Sequence, residues 1–212
     1  RRKVKKPFPQ DPMEQLDLSI RAVFGSWNSE RAEKYRQINK ITGLLGTAVN
    51  VQVMVFGNMG EESGTGVAFT RDGGTGHSKP MGEYLIDAQG EDVVAGIRTP
   101  KHLDEMPKEK SKIWKKAYAD LQKIMTRLEK HYKYPQDVEF TVQEGKLYML
   151  QTRNAKRTGL AGVRWAVEMA TGKDVFTGES QPKILSQKEA LMTILGEDLE
   201  QLLFPVFDLA AE

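Results

Sequence analysis

Between residues 136 and 153 the chain reads QDVEFTVQEGKLYMLQTR, with apolar and polar residues alternating on both sides of Glu144, Gly145 and Lys146. Strand side chains point to opposite faces in turn, so this pattern predicts a β-hairpin with one apolar and one polar face. A loop of those three residues, with glycine in the left-handed position, pairs Val142 with Tyr148, Phe140 with Leu150 and Val138 with Thr152. The same register pairs Glu139 with Gln151 and Asp137 with Arg153. A loop one residue shorter puts Gln151 among the apolar side chains, so the alternation favours the first register. One side of one ribbon then carries two carboxylates, an amide and a guanidinium. Magnesium takes oxygen ligands and shares its shell with substrate phosphates, a role open to Glu139 and Gln151. The fixed fork of donors on Arg153 suits a phosphate. A solvated face with an Asp137–Arg153 cross-strand pair fits the same letters.

Around this hairpin, local signals predict the other elements. Apolar residues Leu16, Ile20, Val23 and Phe24 recur at helical spacing over residues 13–24, with Asp11 as N-cap and Pro12 opening the helix. Ser29 caps a second helix over residues 29–41. Residues 47–56, TAVNVQVMVF, read as a strand; residues 67–71 and 83–88 read as two more. Residues 111–131 form a long amphipathic helix whose inner stripe is Trp114, Ala117, Tyr118, Leu121, Ile124, Met125 and Leu128. Helices follow near residues 161–170 and from Ser186, where Ser186 and Glu189 make a capping-box pattern. The class is α+β: a mainly antiparallel sheet packed by a long helix, with helical segments at both ends.

Two further segments carry possible chemistry. The run GNMGEESGTG, residues 57–66, lies between strands, and its backbone N–H groups with the Ser63 and Thr65 hydroxyls suit an anion, although no Gly-Lys-Ser/Thr follows. Arg71 is either a phosphate contact or a surface charge. The strand over residues 51–55 has the character of an edge that offers backbone groups to a purine, and Glu91 can accept from ribose hydroxyls. A core strand and a loop carboxylate are the alternatives.

Charge sets limits on the partners. Thirty-one basic residues nearly balance 29 acidic ones, for a net +2, so nothing draws the chain generally to nucleic acid; only RRKVKK at residues 1–6 is strongly basic. No apolar run is long enough to span a bilayer. With no cysteine, disulfides and thiolate ligands are excluded, which fits a reducing compartment, the cytosol or an organelle such as a plastid or glycosome.

The strings GTAVNVQVMVFGN, SGTGVAFTR, GEYLIDAQGEDVVAGIRTP, QDVEFTV and LYMLQTRNAKRTG resemble the pyruvate, phosphate dikinases. The match is dense from Gly46 to Gly159 and thinner from Phe8, through FGSWNSERAEKYR, to QLLFPVFD. The resemblance implies the C-terminal portion of an ATP-grasp nucleotide-binding domain. Residues 1–45 are then its linker and helices, residues 46–158 the subdomain that meets Mg-ATP, and residues 159–212 a helical tail towards a phosphohistidine domain. By position, Glu139 and Gln151 resemble the magnesium ligands, Arg153 the phosphate-contacting arginine beside the acidic Asp137, and Glu91 a glutamate on the nucleotide sugar. Gln52, Met54 and Val55 fall in the segment along the adenine. The implied enzyme is a phosphotransferase that turns ATP, phosphate and pyruvate into AMP, pyrophosphate and phosphoenolpyruvate through a phosphohistidine on another domain. Pyruvate reacts at a distant domain, and a homo-oligomeric parent is expected. This chain is expected to be an incomplete fragment without full activity. A stand-alone nucleotide-binding module, or the same part of a phosphoenolpyruvate synthase-like dikinase, are the alternatives. Asp72–Gly73–Gly74, Asn154–Ala155–Lys156 and residues 172–182 depart from the family pattern, the last as an insertion.

Overall fold

The computed structural model describes residues 7–94, 96 and 98–203. The basic run at residues 1–6 and the end of QLLFPVFD lie outside the described residues. The chain divides into two compact units, Arg1–Met54 and Val55–Glu212.

In the first unit, helix α1 (Pro12–Ser26) starts where the Asp11 carboxylate accepts the Glu14 N–H, and α2 (Glu30–Ile38) where the Ser29 hydroxyl accepts the Ala32 N–H. Both caps satisfy backbone donors that lack a helical partner. Neither helix buries a residue: Met13, Phe24, Tyr35 and Ile38 are exposed. Residues 47–56 form no strand, contrary to the β-branched pattern, and Val51, Val53 and Met54 lie open. Strand propensity reports how well a residue fits a half-buried pleated surface, and these exposed side chains have none to fit.

The second unit holds the sheet. Strands β1 (Gly64–Phe69), β2 (Met81–Ile86), β3 (Lys101–His102), β4 (Gln136–Gln143) and β5 (Lys146–Asn154) form one antiparallel sheet in the order β3-β2-β1-β4-β5. Between β2 and β3 lies the short helix α3 (Gly90–Val94); a 3-10 turn over Leu103–Lys108 leads to α4 (Lys112–Tyr132). Trp114, Ala117, Leu121 and Met125 of α4 pack with Val138, Phe140, Val142, Ala68 and Tyr84 into the principal core. That layer covers one face of the sheet. The other face carries Thr65, Val67 and Phe69 of β1 beside Thr141, Glu139 and Asp137 of β4, paired in that order.

Helices α5 (Gly159–Thr171), α6 (Gln187–Met192) and α7 (Gly196–Leu203) follow the sheet. Ser186 and Glu189 make the expected capping box of α6. Arg157 donates to both Asp198 carboxylate oxygens, at 2.5 and 2.8 Å, and so ties α7 to the start of α5.

Candidate functional site

The β4–β5 ribbon places Glu139 opposite Gln151 and Asp137 opposite Arg153, as the alternation predicts. Nearer the turn the register differs. Phe140 pairs with Met149, Thr141 with Tyr148 and Val142 with Leu147, so the loop is only Glu144 and Gly145. Both have positive φ, 47° and 78°, which suits a tight hairpin turn and explains the glycine. The shift falls between Glu139 and Phe140 on β4, where β5 holds one residue more. That residue, Leu150, has no partner and is 47% exposed. The expected pairs Phe140–Leu150 and Val142–Tyr148 are therefore corrected. The short turn wins locally, and the bulge returns Gln151 and Arg153 to the polar face.

On that face the charges are ordered. Arg153 Nε donates to Asp137 Oδ2 at 2.6 Å; the Asp137 side chain is 6% exposed and that of Arg153 58%. The buried carboxylate anchors the guanidinium through Nε, and among the described residues its two terminal nitrogens form no hydrogen bond. The hydrogen bond to Asp137, its charge, and more weakly the charge of Glu139 all raise the Arg153 pKa, so it stays a cation. Glu139 is half-buried and Gln151 exposed. The end of the ribbon is held by Gln136, which donates to Asn154 Oδ1 and accepts from the Thr152 hydroxyl. Among the described residues no three His, Asp or Glu side chains cluster as metal ligands. Glu139 and Gln151 supply two oxygen donors, which fits a magnesium ion that arrives with phosphates to complete its shell.

Beside these groups a groove of about 710 Å³ opens along β1 and β2. Val67 and Phe69, the register partners of Glu139 and Asp137, form its floor with Met81, and His77, Lys79, Glu83 and His102 stand around it. The sequence reading missed this groove, because its residues converge only through β1–β2 pairing.

Other candidates have structural partners. The Ser63 hydroxyl is buried and accepts the Glu144 N–H, and the Thr65 hydroxyl lies 3.1 Å from both the Phe140 carbonyl and the Thr141 hydroxyl. The loop around them is fixed by Trp114 Nε1 donating to the Glu61 carbonyl and by the Gly145 N–H donating to the Glu62 carbonyl. It is a buttress of the hairpin turn. Arg71 is neither of the things its sequence context suggests. It is 3% exposed, with Nε and Nη2 on Glu129 at 2.9 and 3.1 Å and Nη1 on Glu168 at 2.7 Å. Burial raises the Glu168 pKa, an effect that Arg71 and the Val175 N–H oppose. Glu91 lies exposed in the first turn of α3, at the sheet end where β2 finishes. Gln52 and Met54 are exposed in the first unit, and Val55 is half-buried at the start of the second.

A family model described as the pyruvate phosphate dikinase AMP/ATP-binding domain matches residues 8–105 and 101–173. The chain is 54% identical over 202 residues to pyruvate, phosphate dikinase 1, chloroplastic, of Zea mays, covering 95% of this chain and 20% of that protein. It is 53% identical over 200 residues to its counterpart in Arabidopsis thaliana, and 52% identical over 202 residues to pyruvate, phosphate dikinase 2 of Zea mays, covering 94% and 95% of this chain and 19% and 21% of those proteins. The chain thus spans about one fifth of these relatives. The match lies in their N-terminal region, which corrects the expected C-terminal placement.

Proposed function

The chain belongs to the pyruvate, phosphate dikinase family, through its AMP/ATP-binding domain, and on that premise we propose that the polar face of β4–β5 holds Mg-ATP. The carrying observation is the shared face of Glu139, Gln151 and Arg153, with Arg153 anchored by a buried Asp137. In this reading the domain is an ATP-grasp domain. Glu139 and the Gln151 carbonyl oxygen hold the magnesium, and Arg153 binds a phosphate through its outer nitrogens. Asp137 orients Arg153 and keeps its fork aimed. When bound, the metal neutralises charge developing on the transferred phosphoryl group; catalysis of this kind rests on positioning and electrostatics.

Glu91 takes the ribose end, and Val55 lies along the adenine. From Glu139 to Gln143, β4 advances roughly 13 Å, the scale of a nucleoside triphosphate laid along the strand. The whole protein would convert ATP, phosphate and pyruvate to AMP, pyrophosphate and phosphoenolpyruvate, with a phosphohistidine and the pyruvate site on other domains of the parent chain. Its chloroplastic relatives make a plastid the favoured compartment.

The test is calorimetric titration of Mg-ATP into the protein at its natural length, with turnover measured alongside. Glu139→Ala and Gln151→Ala should each weaken binding and lower turnover. Unchanged affinity and turnover in both variants would sink the assignment.

A further inference from the structure

Two glutamines that enter none of the roles above converge on one short piece of backbone. The Phe56 N–H donates to Gln143 Oε1 at 2.8 Å, and the next N–H, of Gly57, donates to Gln89 Oε1 at 3.2 Å. The Gly57 carbonyl in turn accepts the Ala88 N–H at 2.9 Å. Residues 55–57 belong to no strand, so these three bonds fix their path. Gly57 fits closely: a Cβ there would lie 2.2 Å from the Ala88 carbonyl oxygen. Gln143 ends β4 and shares its alternation with Asp137, Glu139 and Thr141, whereas Gln89 precedes α3, two residues before Glu91. Among the described residues, the Val55 N–H and the Val55 and Phe56 carbonyls form no hydrogen bond. The clamp therefore occupies the Phe56 and Gly57 donors and leaves neighbouring polar backbone groups available.

We propose that Gln143 and Gln89 are positioning residues for the base end of the nucleotide, holding residues 55–57 where their backbone meets the purine. This rests on the Mg-ATP reading and extends it to residues with no metal or phosphate role. The strand arithmetic agrees: Gln143 lies roughly 13 Å from Glu139 along β4, away from the phosphate-binding end. A glutamine suits the task because its carbonyl oxygen accepts from backbone while its reach bridges elements far apart in sequence. The clamp acts on the backbone and only through it on the ligand. Removal should cost binding of the base and leave binding of the phosphates intact.

The experiment titrates Mg-ATP and Mg-tripolyphosphate, which lacks a base, into the natural-length protein. Gln143→Ala should raise the Kd for Mg-ATP about fivefold, the worth of one neutral hydrogen bond, and leave tripolyphosphate unchanged. Gln89→Ala should show the same split. Gln143→Glu keeps the accepting oxygen and should restore wild-type ATP affinity. Equal loss of both ligands in Gln143→Ala, unchanged ATP affinity in both alanine variants, or a Gln143→Glu variant as weak as Gln143→Ala would overturn the proposal. Glu139→Ala separates the two readings, since it should weaken both ligands. If it leaves both untouched while Gln143→Ala selectively loses ATP, the metal assignment fails and the clamp stands. A wild-type protein that binds neither ligand overturns both.

Discussion

Replacing Arg71 with methionine should be among the most damaging single changes in the second unit. The guanidinium makes three charge-assisted hydrogen bonds, of 2.7 to 3.1 Å, to Glu129 and Glu168, and both glutamates are at least 90% buried by residue surface. Methionine fills much of the volume but leaves two carboxylates facing each other without a cation. Removing one member of a buried ion pair costs about 3–5 kcal/mol, because the remaining charge stays desolvated. In a unit of this size that corresponds to a fall of roughly 10 °C in Tm. Urea unfolding of wild type and variant, followed by circular dichroism, measures the difference. The pH dependence gives a second reading. Burial raises the folded-state pKa of Glu168, so its contribution to stability is fully present below its unfolded value and is lost as pH rises through the folded one. Without Arg71 that shift grows, and the deficit should be larger at pH 8 than at pH 5. Methionine at 71 together with leucine at 129 and methionine at 168 should recover most of the loss, since an apolar replacement of a whole buried ion network is often neutral. A loss below about 1 kcal/mol for Arg71→Met, or no recovery in the triple variant, would refute the buried-triad account. Weakened Mg-ATP binding at unchanged stability would return Arg71 to the phosphate-contact role.

Other outcomes follow from the same geometry. Asp137→Asn keeps the shape of the pair but removes its charge; Mg-ATP affinity should fall about fivefold or more in calorimetric titration, and Asp137→Ala should cost at least as much. Deleting Leu150 removes the unpaired residue and still leaves Gln151 opposite Glu139 and Arg153 opposite Asp137, so titration should find Mg-ATP binding retained. The Asp174 carboxylate, bonded by the Ser78 hydroxyl and the Thr177 and Phe176 N–H groups, is held down to about 2. Its stabilising contribution is present above the ordinary carboxylate value and fades as pH falls towards 2, and carbon-detected NMR titration of Ser78→Ala should place the pKa higher.

Much of the helical structure was legible because its signals are local. Asp11, Ser29 and Ser186 each accept a backbone N–H three residues on, so the caps can be read without any tertiary information. The stripe of α4 was legible for the same reason, since Trp114, Ala117, Leu121 and Met125 recur at helical spacing and all enter the core. Long-range partners were not. Arg71 meets carboxylates 58 and 97 residues away, and no spacing rule connects them. Residues just beyond the Asp72–Gly74 turn lie against the segment 172–182: His77 stacks on Phe176 at 3.6 Å and the Ser78 hydroxyl donates to Asp174 at 2.6 Å. Nothing in the sequence links the two stretches, and only the fold shows that they meet.

The candidate site itself rests on a conflict between two local rules. Glu144 and Gly145 make a two-residue turn, and that turn, propagated along a regular ladder, sets Leu150 opposite Glu139 and turns Gln151 inwards. The alternation of the outer half demands the opposite. A regular hairpin cannot satisfy both, so a sequence reading has to choose one register, and either choice fails for half the ribbon. The fold keeps both by leaving Leu150 unpaired, at the cost of an exposed apolar side chain. Bulges are tolerated where they aim a side chain, and this one separates the packed half of the hairpin, next to α4, from the half that presents Glu139, Gln151 and Arg153. The turn therefore sets the ladder of the inner half and the alternation sets that of the outer half, and the extra residue lets each be satisfied without disturbing the other.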